Sequence, residues 1–188
     1  MSVDPENGYG PDPEHAASTI TRVAEAGAVG GSIEDYDPSG ELYAREHAAE
    51  RVAAASEAAG RLGFGFTFTA RAENHIRGNP DLDDTIERLQ AYEGAGADVV
   101  YAPGLRDPAE IRAVAEATSK PLNVLARPGL SMGEIVEAGG QRVSVGGALT
   151  WVSVAAMVEA AEKMRDAGDF SSLAAPVRLD EWLVNGRT

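Results

Sequence analysis

The chain has 188 residues, 44% of them hydrophobic, which is enough for one domain with a real core and too few for two ordinary ones. It contains no cysteine, so disulfides, thiolate zinc sites and a cysteine nucleophile are excluded. Its net charge of -14 argues against nonspecific binding to nucleic acid or an anionic membrane. No apolar run approaches a membrane span and no signal peptide is visible, so a cytoplasmic protein is expected.

In chain order, a very short first strand at residues 2–4 runs into the turn Pro5-Glu6-Asn7-Gly8-Tyr9-Gly10. A helix is predicted over 13–26, with Asp12 as N-cap, Pro13 at its first position and Gly27 ending it. A strand follows at 29–34, then a loop at 35–40 and a helix over 41–62 whose Arg45, Ala49, Val52 and Ala53 keep helical spacing. Residues 64–70 read as the third strand, 71–81 as a polar loop and 83–95 as a helix.

The second half repeats the alternation, with strands at 98–102, 122–125 and 142–145. Helices are predicted at 108–118, from a Ser131 cap to 138, and at 149–167, with a short one at 179–184. Trp151 and Trp182 read as packing residues. Such alternation implies βαβ units and a parallel sheet, either closed as a barrel or doubly wound. Neither GxGxxG nor a Walker A sequence is present.

Parallel sheets place their chemistry where strands end. Asp4, Glu6, Glu34, Asp35, Arg71, Glu73 and Asn123 all fall at such ends. Converging carboxylates are hard ligands suited to magnesium; the alternative is that they are helix caps and solvated loop acids. Arg71 could grip a carboxylate or phosphonate through two parallel hydrogen bonds, or pair with Glu34 or Glu73. Gly8-Tyr9-Gly10 permits close backbone approach or positive φ. His15, His47 and His75 have no metal-triad spacing; the first two read as surface residues, while His75 could touch the site.

Several segments resemble the isocitrate lyase / phosphoenolpyruvate mutase superfamily, in the right order. SVDPENGYG resembles its D-x-[DE]-x-G-Y-G segment, and GGSIEDYD its strand ending in I-E-D. FTARAENHIRGNPDLDDTIERLQAYEGAGADVVYAPGL resembles the next strand end and helix, and KPLNVLARPG and RVSVGGAL resemble its last two barrel strands. The resemblance implies an incomplete (β/α)8 TIM-type barrel with about six βα units, residues 1–188 forming a single partial domain with 149–188 as a helical extension. It implies Asp4, Glu6 and Glu34 as magnesium ligands, directly or through water. It implies Arg71 and Glu34 in catalysis, and Tyr9, Gly10, Arg71 and Asn123 in substrate binding.

The implied reaction makes or breaks a C–C or P–C bond beside an enolate of a small 2-oxo or dicarboxylic acid, in a homo-oligomer that binds neither nucleic acid nor membrane. Three departures qualify this. YDPSGELYARE stands where the family's lyases carry a cysteine-bearing loop, which places the chain nearer the cysteine-less, carboxyvinyl-carboxyphosphonate phosphorylmutase-like branch. Pro103 stands where mutases and phosphonopyruvate hydrolases have a histidine. The family's first two βα units find no counterpart ahead of Ser2, so open sheet edges are expected, from a truncated chain or from one closed by dimerisation. A catalytically incompetent remnant or binding module is the alternative reading.

Overall fold

The computed structural model describes residues 1–174. The described residues divide into two compact units, the first covering 1–144 and the second starting at residue 145. The helix expected at 179–184 and Trp182 lie outside the described residues.

The strands are β1 (Ser2–Val3), β2 (Gly30–Glu34), β3 (Thr67–Arg71), β4 (Val99–Tyr101), β5 (Leu122–Leu125) and β6 (Arg142–Ser144). They form one parallel sheet in the order β1-β2-β3-β4-β5-β6, the sequential arrangement of a partial (β/α) barrel. Among the described residues β1 and β6 each pair on one side only. The helices of the first unit are α1 (Pro13–Glu25), α2 (Arg45–Gly60), α3 (Leu82–Gly94), α4 (Pro108–Ala117) and α5 (Met132–Glu137).

Each helix buries one stripe on the sheet. Ile20, Val52, Leu89, Ile111 and Ile135 meet Ile33, Phe68, Val100, Leu122 and Val124 in a single core. The turns back to the sheet reuse one device. Gly27, Gly96 and Gly139 sit at φ 94°, 102° and 94°. The following amides reach back to the last helical turn, from Ala28 to Val23 at 3.0 Å, Ala97 to Tyr92 at 3.1 Å and Gly140 to Ile135 at 2.9 Å. That is the helix ending glycine permits at positive φ. At the opposite ends Asp107 and Ser131 form capping boxes with Glu110 and Glu134.

Four details depart from the sequence reading. The second helix starts at Arg45, not near Glu41, because Tyr36 and Leu42 form an antiparallel bridge and Tyr43 N–H donates to Asp35 O at 2.9 Å. That small hairpin uses backbone groups a helix would need. The third strand begins at Thr67, where its register with Gly30 begins, leaving Phe64 outside. Asp12 occupies the N-cap position of α1 without a side-chain cap bond. In the second unit α6 (Ala148–Ala167) buries none of its residues, and Trp151, expected as a packing residue, is 71% exposed. Among the described residues no helix is long and apolar enough to cross a membrane.

Candidate active site

Parallel register assembles the centre. Glu34 pairs with Arg71, Arg71 with Tyr101, Tyr101 with Asn123 and Asn123 with Arg142. Paired residues of neighbouring strands point to the same face, so these five side chains form one polar row across the sheet. On β3, Phe68 and Ala70 are wholly buried in the core, while alternation puts Arg71 on the other face.

Arg71 is the hub. Its Nη1 donates to Asp4 Oδ2 at 2.6 Å, and its Nη2 lies 2.7 Å from Glu73 Oε1 and 3.0 Å from Glu34 Oε2. Its guanidinium lies 5.4 Å from the centre of the Tyr101 ring. Arg77 adds a second cation, 3.1 Å from Glu73 and 3.5 Å from Glu34, and stacks over Tyr36 at 3.9 Å. The side chains of Glu73 and Glu34 are 1% and 5% exposed, whereas that of Asp4 is 60% exposed.

Burial dominates the electrostatics. Glu34 is pushed up to about 7 by desolvation; Arg71 pulls it back without cancelling that, and Glu73, Glu6 and Asp4 push it further up. For Arg71, burial disfavours the charge, but Glu73, Asp4 and Glu34 outweigh it and hold the guanidinium protonated.

A second buried layer fixes the first. Asp35 is 3% exposed and accepts from the Glu73 amide at 2.8 Å, from Arg88 Nη1 at 3.0 Å and from the Tyr92 hydroxyl. Burial raises its pKa against those bonds. The amide that Asp35 holds belongs to the residue that braces Arg71, so α3 positions the strand end through Arg88 and Tyr92.

The turn after β1 is braced from α2. Arg51 is 1% exposed and donates to the carbonyls of Asn7, Gly10, Pro11 and Asp12, while lying over Tyr43 at 4.6 Å. Within that turn Glu6 and Tyr9 hold φ of 55° and 61°, values that L side chains adopt only under constraint.

The structure therefore brings Asp4, Glu34 and Arg71 together. Glu6 joins through its backbone, its carbonyl accepting from Glu34 N at 3.1 Å. Tyr9 is 69% exposed and lines a cavity of about 390 Å³ with Thr19, Arg22, Val23 and Ala26, so its side chain meets α1. Gly10 packs against His15, whose ring would lie 2.4 Å from an added Cβ. Asn123 stands in the polar row but bonds to Ser144 at 3.0 Å and Arg142 at 2.9 Å, not to Arg71. His15 and His47 are on the surface side, with side chains 49% and 36% exposed. His75 meets Thr85 at 3.3 Å and Glu110 at 3.6 Å instead of the acids.

Asp35 and Glu73 were placed at strand ends from the sequence without a role, and Arg77, Arg88, Arg51 and Tyr101 were not singled out as site residues. Both acids carried a usable signal, Asp35 directly after the strand-ending Glu34 and Glu73 two residues from Arg71.

The donor set suits a hard divalent cation that keeps waters and takes one or two carboxylates. Three carboxylates, those of Asp4, Glu34 and Glu73, face the guanidinium groups of Arg71 and Arg77, and Glu34 is raised chiefly by its burial, with the neighbouring acids adding to it. An all-protein cage is not built, since among the described residues no three acid or imidazole groups converge at ligand spacing.

The comparisons agree with this architecture. The profile of the phosphoenolpyruvate phosphomutase family matches residues 1–165. An oxaloacetate decarboxylase of Rhodopseudomonas palustris is 32% identical over 150 residues, covering 76% of this chain and 50% of that protein. A crystal structure of a provisionally assigned lyase/mutase from Burkholderia cenocepacia is 49% identical with a TM-score of 0.91, covering 97% of this chain and 68% of that one. Phosphonopyruvate hydrolase, solved with oxalate and magnesium, is 26% identical with a TM-score of 0.81, covering 98% and 68%. The chain spans from about two-fifths to about three-fifths of the length of the curated relatives it matches. On the profile match and the shared partial barrel, the chain belongs to the phosphoenolpyruvate phosphomutase family, within the isocitrate lyase / phosphoenolpyruvate mutase superfamily.

Proposed function

We propose that the Asp4–Glu34–Arg71 edge binds a small 2-oxo or dicarboxylic acid and makes or breaks a C–C or P–C bond beside its carbonyl. The observation that carries this is the guanidinium of Arg71 held among three carboxylates at one parallel sheet edge. Asp4 is the exposed partner, so a substrate carboxylate replaces it on Arg71 at the least desolvation cost. Glu34, poised near neutrality, accepts or returns a proton as charge develops on the substrate oxygen. Glu73 and Asp35 keep Arg71 aimed while that charge appears. Asp4 and Glu34, with Glu6 beside them, would hold magnesium, which when bound supplies Lewis-acid stabilisation of that developing charge.

A non-catalytic binding module is the second reading, favoured by the two sheet edges, β1 and β6, that pair on one side only. Pyruvate release from oxaloacetate, corrected for the metal-only rate, separates the two, alongside calorimetry with magnesium and oxalate. Magnesium-dependent turnover lost in Arg71→Met supports the enzyme. Binding without turnover supports the module. Neither binding nor turnover of any such acid sinks both readings.

A further inference from the structure

The geometry points to a second oxyanion subsite, built by Arg106 and Arg127 where β4 and β5 end. The two residues line one cavity of about 230 Å³ with Pro128, Gly129 and Leu130. Arg106 comes from the loop after β4 and Arg127 from the loop after β5, so neighbouring strands aim two guanidinium-bearing side chains at one space.

Neither arginine has a carboxylate partner among the described residues, which is also true of Arg22, Arg51, Arg112 and Arg142; what distinguishes Arg106 and Arg127 is that both line one cavity with no acid in its wall. In a chain of net charge -14, two cations sharing a cavity without an acid between them is the reverse of what composition favours. The nearby acids hold backbone amides, that of Arg106 included, where Glu110 Oε2 accepts at 3.4 Å, and none of them lines this cavity. Asp107 accepts from the Ala109 amide at 2.8 Å, and Glu134 from Ser131 N at 2.8 Å, both as helix caps. Glu110 completes the cap of α4 and faces His75 at 3.6 Å.

A more local observation points to a ligand. Arg127 Nε is buried and has no hydrogen-bond acceptor among the described residues. A buried guanidinium donor without an acceptor is unfavourable, so Arg127 keeps unused bonding capacity beside the cavity that its side chain lines. The loop is also preformed for the purpose. Leu130 N–H donates to Arg127 O at 3.2 Å, closing a turn with Pro128 and Gly129 at its centre. Gly129 at φ 91° completes the turn that proline begins, so Arg127 is presented from a stiff backbone. Guanidinium forks favour planar or tetrahedral oxyanions, which defines the ligand class as a phosphate, phosphonate or carboxylate group.

The test uses the full chain at low ionic strength, titrated with inorganic phosphate and followed by phosphorus NMR and calorimetry. Saturable binding is expected. Arg106→Ala and Arg127→Ala each weaken it by about tenfold, the loss of one charge-assisted contact. Arg127→Lys, which keeps the charge without the fork, also weakens it, and serves if the alanine variant fails to fold. Arg22→Ala, at a separate cavity beside α1, leaves it unchanged. Malonate that displaces phosphate identifies a substrate's distal carboxylate as an occupant, and malonate that does not identifies a tetrahedral oxyanion; both outcomes sustain the subsite. Absence of saturable phosphate binding, or binding equal in wild type and both alanine variants, overturns it. Arg71→Met separates this subsite from the proposed reaction, since it abolishes turnover and leaves phosphate binding intact.

Discussion

The two halves of the sheet edge handle charge in opposite ways. At the ends of β1, β2 and β3, acids face arginines directly: Asp4, Glu34 and Glu73 surround Arg71, and Arg77 closes on the last two. At the ends of β4 and β5 the acids serve helix starts, Asp107 and Glu110 on α4 and Glu134 on α5, while Arg106 and Arg127 share a cavity without a carboxylate. The difference lies in where each acid sits along its strand–helix unit. Glu34 and Glu73 stand within two residues of a strand's last residue and meet the polar row. Asp107 and Glu134 stand at helix N-termini, where orphan amides attract them. One half is therefore a saturated ion-pair cluster and the other a set of cations awaiting an anion.

Removing Arg71 is the sharpest way to break this contrast. Its loss leaves two nearly buried carboxylates with Arg77 as their remaining nearby cation. Deleting one partner of a buried ion pair costs about 3–5 kcal/mol, so Arg71→Met is expected to lower the urea midpoint by the largest amount of any change discussed. Arg71→Lys recovers part of that stability but not the two-pronged bonding. If Arg71→Met unfolds with the wild-type midpoint, the cluster on the β1–β3 side is not a stabilising unit, and the contrast with β4–β5 disappears.

Glu34 sharpens the comparison through pH. Its pKa rises from 4.5 to about 7 on folding, so the folded chain holds that proton where the unfolded chain has released it. The unfolded state binds fewer protons between those values, and stability falls as pH rises from about 4.5 to 7. Glu34→Gln cannot ionise and removes that slope, giving a gain of about 1–3 kcal/mol at pH 8 relative to wild type. Magnesium added at pH 8 is expected to raise the wild-type midpoint and not that of the variant. Parallel pH profiles for the two proteins would show that burial of Glu34 is compensated in the ionised state.

The same contrast explains what the sequence made legible. Asp4, Glu34 and Arg71 end short strands in consecutive units, and adjacent parallel strands leave them little choice but to meet. The glycine-terminated helices and the parallel alternation were legible for a similar reason, because each signal is local. The supports were not. Asp35 takes bonds from Arg88 and Tyr92, 53 and 57 residues on, and Arg51 holds carbonyls about 40 residues earlier. On α2 and α3 these arginines look like ordinary solvated residues, since nothing local distinguishes a guanidinium that caps loop carbonyls from one facing water. Arg106 and Arg127 were not legible either, because what sets them apart is a shared cavity with no acid in its wall, which only the fold reveals.

Arg127→Ala gives the smallest effect. A paired, buried arginine is missed when it goes, but Arg127 contributes an unsatisfied Nε and no ion pair among the described residues. Truncation therefore removes a desolvation penalty together with some packing of the side-chain stem, and the two nearly offset. The expected change in unfolding free energy without phosphate is within about 1 kcal/mol of zero, against the several kcal/mol expected at Arg71. Phosphate should then separate the proteins, raising the wild-type midpoint by mass action and leaving Arg127→Ala almost unmoved. A loss at Arg127 as large as that at Arg71, with no phosphate present, would mean that this cation is already paired in the folded chain. The β4–β5 edge would then be a second saturated cluster and not an open anion site.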